Sequence, residues 1–140
     1  MRITAYIIAN SHDDDFFKSQ TSPIGGISNI QRIIISLRNS KYIKDIIILT
    51  NSSDLYHYAS EFKIENILIN STDYRGTKKI ITKEILSEIQ KRNRDNSFLI
   101  VNAQYPLIST SEVNKVIKGI SEDSELSFSS FDYHLHSSLI

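Results

Sequence analysis

Apolar residues fall in short, separated runs along the chain, and the period of each run predicts the element it forms. Ile3 to Ala9 is almost unbroken, as expected of a strand covered on both faces. Between Asn29 and Asn39 the apolar residues are Ile30, Ile33, Ile34 and Leu37. That spacing places them on one face of a helix, with Ser28 as its N-cap. Ile46 to Leu49 is a second buried strand. Asp54 to Phe62 repeats the helical spacing through Leu55, Tyr58, Ala59 and Phe62, with Ser53 as its cap. Ile67 to Ile69 is a short third strand. The turn Tyr74-Arg75-Gly76-Thr77 leads into a helix striped by Ile81, Ile85 and Ile89. Phe98 to Val101 is a fourth buried strand. Ser109-Thr110-Ser111-Glu112 has the form of a capping box, and Val113, Val116, Ile117 and Ile120 continue it as a helix. Leu126 to Phe131 alternates like a fifth strand with one exposed face. The last residues carry no clear pattern.

Strict alternation of strand and helix predicts an α/β fold: a three-layer αβα sandwich on a mainly parallel sheet, with right-handed crossovers. Ligands of such sheets bind at the carboxyl ends of the strands, here Ala9–Pro23, Thr50–Ser53, Asn70–Gly76 and Asn102–Pro106. The first of these stands out. Ser11 to Pro23 is far longer than the about 2–6 residues usual between a strand and its helix. It is polar and closes on Gly25-Gly26, and Ser11 to Ser22, with no apolar anchor except Phe16 and Phe17, is expected to be mobile without ligand.

Composition narrows the function. The 140 residues suit one domain, with 40% hydrophobic and 23% charged residues, and 16 basic residues balance 16 acidic ones. No run of Lys or Arg marks a nucleic-acid or membrane surface. Without cysteine there is no disulfide and no thiolate metal site. No apolar run is long enough to span a bilayer and no signal-peptide pattern opens the chain, so a cytoplasmic location is the default expectation. Four glycines leave little for a glycine-rich phosphate cradle.

Four segments, in order and spacing, resemble the nucleotidyltransferases of the GT-A-like, MobA-like superfamily, nearest to cytidylyltransferases that activate sugars, of the acylneuraminate and spore-coat polysaccharide type. They are Ile24-Gly25-Gly26 with the helix after it; Ser40-Lys41-Tyr42-Ile43-Lys44-Asp45 running into Ile46–Thr50; Tyr74-Arg75-Gly76-Thr77; and Asn102-Ala103-Gln104-Tyr105-Pro106-Leu107-Ile108. The resemblance covers nearly the whole chain. It implies the nucleotide-diphospho-sugar transferase (Rossmann-like) type of fold and a single domain over 1–140, with the N-terminal part of a longer protein as the alternative. It implies CTP and a sugar-type acceptor as substrates, Mg²⁺ as cofactor, and a homodimer or a further domain. Residue by residue, it implies Lys18 as the loop lysine that stabilises the phosphates. Ala9, Asn10, Gly25 and Gly26 are implied at the nucleotide, and Arg75 and Gly76 at the acceptor or base. The metal position is Asn102 or Gln104, depending on register.

The departures from the family are as informative. Asn10 stands where the family has glycine, and Asp13-Asp14-Asp15 stand where it has arginine. Three carboxylates repel a triphosphate unless a divalent cation lies between them; otherwise they are a solvated loop tip. Asn102 and Gln104 are amides where the family holds Mg²⁺ on a carboxylate. Losing charge donors at a developing phosphoryl charge costs about 10²–10³ in rate for each. The expectation is therefore a degenerate domain that keeps the fold for binding or docking, against the alternative of an active Mg²⁺-dependent cytidylyltransferase. His134 and His136, two apart, share a face if they lie on a strand, but no carboxylate completes a metal set beside them. His12 and His57 are expected at the surface. A receiver domain of two-component type is a poorer reading, because the first helix begins too late after the first strand.

Overall fold

The computed structural model describes residues 2–9, 23–24, 27–68, 83–93, 97–103, 109–120, 126–128 and 134–137. Its elements in chain order are β1 (Ile3–Ala9), β2 (Pro23–Ile24), β3 (Ile27–Ser28), α1 (Asn29–Arg38), β4 (Ile43–Thr50), α2 (Ser53–Ser60), β5 (Glu65–Leu68), α3 (Lys83–Arg92), β6 (Ser97–Asn102), α4 (Thr110–Ile120), β7 (Leu126–Phe128) and β8 (His134–Ser137). Six strands form one sheet in the order β5-β4-β1-β6-β8-β7, and β2 pairs with β3 in a small ribbon. Gly25 and Gly26 fall between the paired residues Ile24 and Ile27 and lie outside the described residues.

β5, β4, β1 and β6 run parallel. β8 is antiparallel to β6 and to β7, so β7 runs the same way as the parallel four. All five strands legible in the sequence thus share one direction, and the sixth, β8, is wedged antiparallel among them.

β1 is buried along its whole length, and its alternating side chains feed two cores. Ile3, Ala5, Ile7 and Ala9 pack on one face with Ile30, Ile33, Ile34 and Leu37 of α1, Leu55 and Ala59 of α2, and Val113, Val116 and Ile117 of α4. Tyr6 and Ile8 pack on the other with Ile47, Leu49, Phe98, Ile100 and the α3 residues Ile85 and Ile89. There the Tyr6 and Phe98 rings meet edge to face, centroids 5.8 Å apart. Chirality explains the placing of α1, α2 and α3. The connections from β1 to β4 and on to β5 step outward, whereas β5 to β6 steps back across the sheet, and right-handed crossovers in opposite directions put their helices on opposite faces. The connection from β6 to β7 departs from the expected right-handed crossovers: it steps the same way as β5 to β6, yet α4 packs on the face of α1 and α2, so this crossover has the opposite hand.

Several boundaries differ from those the pattern predicts. β4 begins at Ile43, because exposed Lys44 and Asp45 interrupt its apolar run at the solvent-facing end. The cap of α2 is Ser52, not Ser53: its side chain accepts the Leu55 N–H at 3.2 Å. Ser28 does cap α1, in a reciprocal box with Gln31, and Ser109 and Glu112 form the expected box on α4. Polar contacts then hold α4 to α1, with the Thr110 hydroxyl donating to Ser36 O at 2.7 Å. Among the described residues, no helix is long and apolar enough to cross a membrane.

Candidate functional site

Between β1 and β6 the sequence order of the sheet reverses. The chain leaves β1 toward β4 on one side and returns to β6 on the other. In open α/β sheets such a switch point, beyond the carboxyl ends of the two strands, is where ligands bind. Ile8 pairs with Asn102 across this junction, and the Ala103 N–H donates to Ile8 O at 3.0 Å. Two of the residues singled out in the sequence, Ala9 and Asn102, are the last of their strands and meet at this point.

Their surroundings are closely built. Ala9 and Ala103 are fully buried, and Asn102 is 4% exposed. Its strand neighbour Ile100 lies in the core on the α3 face, and strand alternation puts Asn102 on the same face. Burying an amide without a partner costs free energy, and Asn102 is partnered. On the opposite face Thr50, also fully buried, ends β4. Its hydroxyl donates to Ala9 O at 2.7 Å and accepts the Ser52 N–H at 3.1 Å. Ser52 in turn caps α2. A single hydroxyl therefore fixes the end of β1, the end of β4 and the start of a helix to one another. In the sequence Thr50 is marked only as one of the strand carboxyl ends where ligands bind. The signal was there in Thr50-Asn51-Ser52, a hydroxyl residue able to bond the backbone two residues on.

The remaining site expectations fall elsewhere. Asn10, Lys18, Gly25, Gly26, Arg75, Gly76 and Gln104 lie outside the described residues, as do Asp13 to Asp15, His12 and the whole Ser11–Ser22 loop. His57 is exposed, with its ring edge to face with Tyr56 at 5.6 Å. His134 and His136 do lie on a strand, in register with Ile100 and Phe98.

Magnesium takes hard, charged oxygen ligands. At the junction the described donor is the neutral amide of Asn102, and among the described residues no three His, Asp or Glu side chains come together as a metal set. The described donors do not fit a resident Mg²⁺.

No protein-family model matches the sequence, and no curated protein sequence matches it. Solved structures do match in fold. A CMP:2-keto-3-deoxy-manno-octonic acid synthetase complexed with CTP aligns with a TM-score of 0.72 at 12% identity, over 90% of this chain and 50% of that one. A cytidylyltransferase from Leptospira borgpetersenii serovar Hardjo-bovis aligns with a TM-score of 0.73 at 12% identity, over 99% of this chain and 61% of that one. A 4-diphosphocytidyl-2C-methyl-D-erythritol synthase from Anaerococcus prevotii gives 0.67 at 15% identity, over 92% and 56%. This chain therefore spans between half and two thirds of the length of the structures it matches. Its α/β architecture, with the switch point between β1 and β6, is the nucleotidyltransferase-like fold of these cytidylyltransferases, the fold that the resemblance in its sequence implied.

Proposed function

We propose that the chain is a degenerate member of the nucleotidyltransferase-like group: it keeps the nucleotide crevice at the switch point, with CTP as its ligand, and has lost most of the transfer chemistry. The observation that carries this reading is Asn102. It ends β6 at the switch point, 4% exposed, and it is one of the two amides, with Gln104, that stand where the resemblance implies a metal-binding carboxylate. An amide contributes no charge to hold a cation against phosphate. In sequence, the first loop sets one lysine, Lys18, against three acidic residues, Asp13, Asp14 and Asp15. With several charge donors gone, at about 10²–10³ in rate for each, the purified chain is expected to release almost no pyrophosphate from CTP in the presence of a sugar acid. The test is a titration with CTP, with and without Mg²⁺, beside a pyrophosphate-release assay. Saturable CTP binding that Mg²⁺ does not strengthen is the expected outcome. Pyrophosphate release at an ordinary enzymatic rate overturns it, in favour of an active Mg²⁺-dependent cytidylyltransferase with the three aspartates holding the metal.

A further inference from the structure

At the opposite end of the sheet from the switch point, a cleft of about 410 Å³ opens among the starts of β1, β4 and β5. Four cationic side chains line it: Arg2 before β1, Arg38 at the end of α1, Lys44 on β4 and Lys63 before β5. All four are exposed. Asp45 and Glu65 also line it, but Glu65 lies 3.8 Å from Arg92. The carboxyl ends of α1 and α2 add about half a negative charge each, which leaves the cleft positive in sum. In a chain with no net charge, that is a local concentration of one sign.

Two details show that these cations are set in place. Arg2 donates to Ile43 O at 3.4 Å, and Arg38 donates to Phe62 O at 3.2 Å. Each bond occupies one of five guanidinium N–H groups and anchors the fork at the cleft wall. Lys63 has a φ of 56°, the one positive φ among described non-glycine residues, in the turn that closes α2. Glycine takes that conformation without steric cost. A lysine at this place puts a cation into the cleft at the expense of backbone strain.

We propose that this cleft binds the phosphoryl group of a small soluble ligand, at a site separate from the crevice. Phosphate suits it better than a carboxylate. It carries close to two negative charges and three acceptor oxygens, and arginine forks match its geometry.

The test is a titration of the full chain with inorganic phosphate, followed by backbone amide NMR at constant ionic strength, with chloride as the control anion. Saturable shifts confined to residues around Arg2, Arg38, Lys44 and Lys63 are expected. Lys63→Gly should weaken phosphate binding roughly two- to fivefold, as fits an exposed cation, while its melting temperature holds or rises because the strained turn relaxes. Lys63→Arg should retain the affinity. Equal shifts from chloride, or Lys63→Gly binding phosphate as well as the parent, overturn the proposal. So do shifts that appear only with an acidic peptide, which would make the cleft a protein-docking surface. None of these outcomes depends on whether the crevice binds CTP.

Discussion

Replacing Thr50 with valine keeps the side chain's shape and its preference for a strand, and removes both the bond to Ala9 O and the one from Ser52 N–H. Buried groups left without partners cost about 1–3 kcal/mol, so Thr50→Val should lower the unfolding free energy by about 2 kcal/mol in urea melts. It should also loosen the end of β1 where the crevice begins. Asn102→Asp puts a carboxylate into a nearly closed site. An uncompensated buried charge costs about 3–5 kcal/mol, so this variant should melt well below the parent in chelator. Recovery of its melting temperature on adding Mg²⁺, with no such rise in the parent, would show that the crevice admits a metal once a carboxylate is restored. At this scale the sequence showed Ala9 and Asn102 as strand ends, because each closes a nearly continuous apolar run. It hid Thr50, whose role is a contact to a strand 41 residues away that no local pattern encodes.

The caps offer a graded comparison among elements. Ser28 is 1% exposed; besides its box with Gln31, its hydroxyl accepts from the Tyr58 hydroxyl at 2.9 Å, tying α1 to α2. Ser109 makes the same kind of box on an exposed surface. Cap serines are worth about 0.5–2 kcal/mol, and Ser28→Ala should lie at the upper end of that span and Ser109→Ala at the lower, by chemical denaturation. Equal losses would mean that the Tyr58 bond adds nothing. The helices were legible because periods of three and four residues recur over two or more turns. β8 was not legible. His134 to Ser137 is four residues with a single apolar member, and its strand character comes from lying between β6 and β7, a property of the tertiary structure. The first three residues of β4 were missed for a related reason: Lys44 and Asp45 are exposed and look like a loop in the sequence.

For the whole molecule, protection from hydrogen exchange should follow the sheet's order. β1 is flanked on both sides and buried throughout, so its amides should exchange last, near the global unfolding free energy. Those of β5, an edge strand whose residues are exposed or partly exposed, should exchange far sooner; comparable rates would contradict the layered core described above. The position of β8 also bears on how the chain is made. β6 and β7 are not neighbours, and each completes its pairing through β8, the last of the described strands. During synthesis, β6, a fully buried apolar strand, keeps one edge open until residue 137 has left the ribosome. An open apolar edge is a template for other chains. A ribosome stalled before His134 would therefore release a product prone to aggregate, although every strand of the parallel half is already present in it.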